Sequence, residues 1–133
     1  LIFGVGTDII EVHRVEDKLN RTPGLKEKLY TNLEIAYCDS KKFPYQHYAA
    51  RFAAKEAFLK ALGTGWSKGI KFSEIEIRNL ESGQPVIEVY GRAKELCRVQ
   101  GINRFSVSLS HLKSHAVAMV ILEKIKEEDM EGI

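Results

Sequence analysis

Asp8, Glu56 and Lys60 are the residues of this sequence whose types and spacing carry the most chemistry. Asp8 lies inside GVGTDIIEV, an apolar, β-branched run that predicts a strand, where aspartate is normally depleted. Glu56 and Lys60 lie in RFAAKEAFLKALGTG, which reads as a helix running into a glycine turn. At 100° per residue these two side chains sit about 40° apart on one helix edge. Arg51 and Lys55 occupy roughly the opposite side. Phe52 and Leu59 separate the edges on one flank, and Ala50, Ala54, Ala57 and Ala61 on the other. An ordinary surface helix has one wet face, so the second polar edge, that of Glu56 and Lys60, is expected to look onto something polar. Each feature also has a plain reading. Asp8 at a strand end can cap the next helix, and a Glu→Lys pair at i,i+4 is often a solvated pair worth about 0.2–0.5 kcal/mol.

Two further segments hold groups suited to phosphate. GTGWSKG offers Gly63, Gly65 and Gly69, whose amides can meet phosphate oxygens, with Lys68 adding charge. It follows a helix C-terminus, where the dipole disfavours anions, and its spacing is not that of a P-loop. Gly63 therefore reads equally well as a simple helix stop. In SVSLSH, Ser106, Ser108 and Ser110 alternate with Val107 and Leu109, giving a hydroxyl-lined strand face that ends at His111. A wet sheet face accounts for that pattern as readily as a ligand wall. Two carboxylates from distant segments, a lysine beside one of them, a glycine loop and a serine–histidine strand together suit divalent-metal handling of a phosphate ester. Hard oxygen ligands favour Mg²⁺, which takes one or two carboxylates plus substrate phosphate.

These groups need a fold to bring them together. The chain has 133 residues, 44% hydrophobic and 29% charged, enough for one domain with a core and no disulfide or metal staple. A net charge of +2, without a concentrated basic stripe, argues against a nucleic-acid binder. Cys38 and Cys97 lack metal-ligand spacing and fall in helical patterns, which predicts free thiols in a reducing cytoplasm. No run approaches the ~20 apolar residues of a membrane span, and no signal-like segment precedes the first strand. The expected order begins with a strand in LIFGVGTDIIEV and a short amphipathic helix in HRVEDKLN, broken at Thr22-Pro23-Gly24. LKEKLY adds a turn or two of helix. A further helix opens on Thr31 with Glu34 in capping-box spacing, and a long one runs from Pro44 to Gly63. KFSEIEIRN and PVIEVYG predict strands joined at Ser82-Gly83-Gln84, RAKELCRVQ a helix stopped by Gly101, and RFSVSLSH and HAVAMVILE two more strands. The fold class expected is α+β: one compact domain over residues 1–123, mainly antiparallel sheet packed against helices, including one long central helix. Residues 124–133 form a charged tail expected to fray or continue outside the core.

In the segments GVGTDIIEVHRV, RFAAKEAFLKALGTG, FSEIEIRN with GQPVIEV, and SVSLSHLKSHAVAMVI, the sequence resembles the holo-[acyl-carrier-protein] synthases, the small bacterial 4′-phosphopantetheinyl transferases. The likeness runs over nearly the whole chain in the family's order; RFAAKEA together with SLSH is its most specific part. It implies transfer of the phosphopantetheine arm of coenzyme A to a serine of apo acyl carrier protein, with release of 3′,5′-ADP, in fatty acid biosynthesis. It implies that Asp8 and Glu56 bind Mg²⁺ and that Lys60 holds the phosphate and neutralises or protonates the leaving group. The general base stays open between Glu56 and a water on the metal. The family places coenzyme A near the glycine turn, nominating Gly63, Thr64 and Gly65, and near the Ser-His strand, nominating Ser110 and His111. Its carrier proteins are acidic, which nominates Arg14, Arg21, Lys26 and Lys28 for docking. Relatives of this size are homotrimers with coenzyme A between subunits, and the strands LIFGVG and HAVAMVIL, apolar on both faces, agree with such an interface. The rival reading is a binding module for a nucleotide or carrier protein without chemistry; intact Asp8, Glu56 and Lys60 argue against it.

Overall fold

The computed structural model describes residues 1–64, 68–126 and 128. In chain order the elements are β1 (Ile2–Glu11), α1 (Val12–Arg21), α2 (Leu25–Leu29), α3 (Asn32–Asp39) and α4 (Pro44–Leu62). A 3₁₀ turn at Phe72–Glu74 then leads into β2 (Ile75–Asn79), β3 (Pro85–Val89), α5 (Gly91–Gln100), β4 (Arg104–His111) and β5 (His115–Glu123). β1, β5 and β4 form one antiparallel sheet in that order, and β2 and β3 form a separate antiparallel hairpin. The α+β class is as expected, with the sheet divided in two.

Local signals account for most boundaries. Thr31 and Glu34 make both hydrogen bonds of the capping box that opens α3. Pro44 occupies the first turn of α4, and Gly63 ends it at φ 82°, a left-handed position that a side chain resists. The hairpin turns at Gly83, whose N–H donates to the Leu80 carbonyl. KFSEIEIRN is extended only from Ile75 onward. The Glu74 carboxylate accepts the Lys71 and Arg92 backbone N–H groups, which holds Phe72–Glu74 as a turn. At the far end, Lys124 and Leu1 exchange backbone hydrogen bonds, so pairing continues one step past β5.

What positions the candidate site is a seam without side chains. A Cβ on Gly4 would stand 1.9 Å from the Ala61 carbonyl oxygen, and one on Gly6 would stand 1.9 Å from that of Ala57. β1 therefore rests backbone to backbone on α4, which only glycine allows. Next to this seam Ala53, Ala54, Ala57, Phe58 and Ala61 pack on Ala118, Val120 and Leu122 of the central strand β5. Among the described residues no helix covers the opposite face of the same sheet: Val5, Ile9, Val117 and Met119 are all exposed there.

The Arg51–Lys55 edge of α4 is not wet. Arg51 and Lys55 are 2% and 0% exposed, because α3, the 3₁₀ turn and the β2–β3 hairpin close over them. The edge expected to look onto something polar is that of Glu56 and Lys60; the edge that protein takes out of bulk water is the other one, which the sequence did not single out.

Candidate functional site

Asp8 follows Gly4 and Gly6 at strand period two, so its side chain leaves β1 on the α4 side, one step beyond the seam. Glu56 and Lys60 flank Ala57 on the helix edge that meets it. Lys60 Nζ donates to Asp8 Oδ1 at 2.9 Å and to the Thr7 carbonyl at 3.0 Å. The lysine thus reaches across to the strand aspartate rather than pairing along its own helix. Its side chain remains half exposed, at 55%, while that of Asp8 is 17% exposed. Burial, and then the negative charge of Asp8, raise the pKa of Glu56; Lys60 offsets this in part. Two carboxylates close enough to disturb one another, with one lysine and an open rim, form a centre with more acidic than basic groups.

That donor set fits a hard divalent cation. Mg²⁺ takes one or two carboxylates and fills its remaining positions with water and substrate phosphate. Asp8 and Glu56 are the residues that would hold it. Among the described residues no group of three or more His, Cys, Asp or Glu side chains gathers as an all-protein cage. Beside Glu56 a cleft of about 240 Å³ runs beneath α1 and α2, with Ile10, Leu29 and Phe52 as apolar walls and Arg14 and Lys18 at its rim.

The structure separates other residues that lie together in the sequence. Ser110 opposes Val117 on the uncovered sheet face, whereas His111 belongs to the alternate set that faces α4. There His111 Nδ1 lies 2.9 Å from Gln46 Oε1 and its ring meets His47 edge-on at 4.9 Å. Gly63 is the helix stop, Thr64 follows it, and Gly65 lies outside the described residues. Of the four basic residues nominated for docking, Arg14 reaches the Glu56 cleft. Arg21 pairs with Asp17, Lys26 lies 5.0 Å over the Tyr48 ring, and Lys28 borders a separate apolar hollow with Leu25 and Phe72.

Another cleft, also about 240 Å³, was not anticipated from sequence. Tyr37, His47, Arg51, Asn79, Ser108 and His111 line it. The Arg51 guanidinium lies 4.1 Å from the Tyr37 ring and donates to Asn79 Oδ1, and its buried Nε has no hydrogen-bond partner among the described residues. Burial and then neighbouring His111, Arg51 and Lys41 pull His47 down to about 4, so its imidazole is neutral at pH 7. Arg51 is thus a buried cation in the wall of this cleft, held by Asn79 and the Tyr37 ring. The signal was present in the sequence: His47, Arg51 and Lys55 recur at i, i+4 and i+8 along one helix edge.

Residues 4–120 match the family model of the 4′-phosphopantetheinyl transferase superfamily. The chain belongs to that superfamily. The matched span contains Asp8, Glu56, Lys60, Arg51 and His111, so both clefts lie within the shared region. A holo-[acyl-carrier-protein] synthase of Geobacter sp. (strain M21) is 48% identical over 93% of this chain and 100% of its own length. One of Syntrophus aciditrophicus is 44% identical over 96% and 100%. Solved structures agree. The holo-[acyl-carrier-protein] synthase of Neisseria meningitidis superposes with a TM-score of 0.84 at 32% identity, over 93% of this chain and 100% of that one. That of Bacillus anthracis, solved in complex with CoA (3′,5′-ADP), gives 0.77 at 36% identity, over 93% and 98%. Both cysteines are free and buried, and no helix among the described residues is long and apolar enough to cross a membrane.

Proposed function

We propose that this transferase moves the 4′-phosphopantetheine arm of coenzyme A to a serine of an apo acyl carrier protein, in the cytoplasm. The observation that carries the reading is the Asp8–Lys60–Glu56 centre, assembled across the glycine seam and open at its rim. The names of its relatives and the coenzyme A complex of a structural neighbour support the choice of substrates. In the reaction the serine oxygen forms a bond to the phosphorus that carries the pantetheine arm and gives its proton to a base, Glu56 or a water. The bond from that phosphorus to the bridging oxygen breaks, and 3′,5′-ADP leaves with the electron pair. When bound at Asp8 and Glu56, Mg²⁺ supplies charge neutralisation and alignment of the pyrophosphate. Lys60, with its ammonium on the strand aspartate, is placed to follow negative charge onto the leaving phosphate. Weighing a carrier protein after incubation with coenzyme A and Mg²⁺ tests the assignment. The carrier should gain one phosphopantetheine, and chelation should stop the gain reversibly; an unmodified carrier overturns the reading.

The carrier's place is the cleft beside Glu56. Arg14 and Lys18 at its rim suit an acidic partner, and the apolar walls of Ile10, Leu29 and Phe52 offer an anchor. Exposed charges act mainly on encounter and weaken with salt. Arg14→Glu should therefore raise KM for the carrier about tenfold while KM for coenzyme A changes little. Equal loss of both affinities counts against docking here.

The cleft walled by Arg51 suits the phosphorylated nucleoside end of coenzyme A through the charge of that guanidinium, and its position argues for a homotrimer. Arg51 and Glu56 are five residues apart on α4, so they point about 140° apart around the helix. One extended ligand that uses both must bridge two copies of the chain, and the uncovered face of β1 and β5 offers the surface on which copies meet. Complementation tests this. Arg51→Gln and Glu56→Gln should each be inactive alone, while oligomers reassembled from an equal mixture should regain about a quarter of wild-type activity, one intact site in each mixed trimer. No recovery from mixed trimers, or a fully active monomer in light scattering, overturns the composite site.

A further inference from the structure

Lys55, next to Glu56 in sequence, uses all three ammonium donors inside the protein. It donates to Glu34 Oε1 at 2.7 Å, to the Phe72 carbonyl at 2.9 Å and to the Leu29 carbonyl at 3.0 Å. Both side chains of the Lys55–Glu34 pair are 0% exposed. Both oxygens of the glutamate are engaged as well. Its Oε1 also accepts the Thr31 N–H at 2.9 Å, and its Oε2 accepts the Ile77 N–H at 3.0 Å. Thr31 Oγ1 donates onward to Glu76 Oε2 at 2.6 Å, and Tyr90 donates to Glu76 Oε1 at 3.0 Å. A single network therefore ties the end of α2, the start of α3, the 3₁₀ turn and β2 to the middle of α4.

Burying an ion pair of this kind is a weak source of stability, because well-packed apolar side chains often serve as well or better. What the pair supplies is position. Leu29, whose carbonyl Lys55 holds, lines the cleft beside Glu56. Phe72, whose carbonyl it also holds, packs its ring at 5.1 Å against Phe52, another wall of that cleft. α2 has no buried residue of its own, so its end is held by such hydrogen bonds more than by a core. Lys55 and Glu56 sit about 100° apart on the helix, so anchoring the first sets the rotation at which the other is presented.

We propose that Lys55 and Glu34 form a positioning device that sets the walls of the Glu56 cleft against the catalytic edge of α4, and so governs how the carrier protein is seated. This rests on the reading of that cleft as the carrier's docking site. The Lys55→Met/Glu34→Gln double variant removes both charges and leaves an amide able to bond within the network. Thr31→Val loosens the same network from its half-buried end.

Steady-state kinetics of the full chain, with coenzyme A and an apo carrier protein, reads the effect. KM for the carrier should rise about tenfold in the double variant and about threefold in Thr31→Val, with KM for coenzyme A and kcat at saturating carrier within about twofold. If the double variant does not fold, Thr31→Val alone decides. An unchanged carrier KM, or a loss of kcat that tracks only the loss of folded protein in a thermal melt, assigns the network to stability and overturns the positioning role. Arg14→Glu, measured alongside, separates the two layers. If it leaves the carrier KM unchanged, the docking reading falls and this inference with it; if it raises that KM and the network variants do not, only this inference falls.

Discussion

The Asp8→Asn/Glu56→Gln double variant should lose transfer activity by about a thousandfold or more, because attack at phosphorus depends on charge neutralisation and alignment more than on covalent help. Its fold should survive. Neither side chain supports the core, and the seam that joins β1 to α4 is made by Gly4, Gly6 and two alanine carbonyls. Metal-free stability should move the other way. Burial and the charge of Asp8 raise the Glu56 pKa above its usual 4.5 in the folded chain. The folded state then binds more protons than the unfolded state between 4.5 and the raised value, so stability falls as pH rises through that window. Glu56→Gln removes the penalty. Without metal, the single Glu56→Gln variant should therefore melt above wild type at neutral pH, and the gap should close below pH 4.5. Thermal melts across pH, with chelator present, read this directly. Transfer at a near wild-type rate by the double variant would overturn the mechanism, and a Glu56→Gln Tm lower than wild type would remove the electrostatic account of the centre.

Gly6→Ala should be the most damaging methyl group in the chain. The new Cβ would stand 1.9 Å from the Ala57 carbonyl oxygen and 2.8 Å from the Ala61 backbone nitrogen, both on a helix that cannot bend away cheaply. Strand and helix must separate, which costs about 3 kcal/mol, near the top of the usual range for overpacking. Activity should fall further than stability does. Any gap opened at Gly6 propagates two residues along β1 to Asp8 and takes it away from Lys60 and Glu56. Urea titration and single-turnover kinetics at a temperature where the variant is fully folded separate the two effects. If the folded variant transfers at the wild-type rate, the seam does not set the site's geometry.

Elements governed by near neighbours are legible in the amino-acid sequence alone. The Thr31–Glu34 capping box, the glycine stops at positions 63 and 101 and the hairpin at Gly83 each depend on contacts within a few residues. The alternation of serine with valine and leucine in β4 also held, since a strand's period is local. The Phe72–Glu74 turn is not legible in this way, because its Glu74 carboxylate is committed partly to Arg92, eighteen residues away.

The chain's membership of its superfamily could be read from one dimension, and so could the nomination of Asp8, Glu56 and Lys60, since residue types at fixed spacing are a property of the sequence. Whether the helix edge of Arg51 and Lys55 met water, a ligand or protein could not. The answer depends on Glu34 and Asn79, brought from other elements onto buried cations. The same holds for the partner of Lys60, which is Asp8, fifty-two residues away, and for the parting of Ser110 from His111. Periodicity states which side chains share a face. Only packing decides what that face meets, because burial and electrostatics act through distances that sequence separation does not contain.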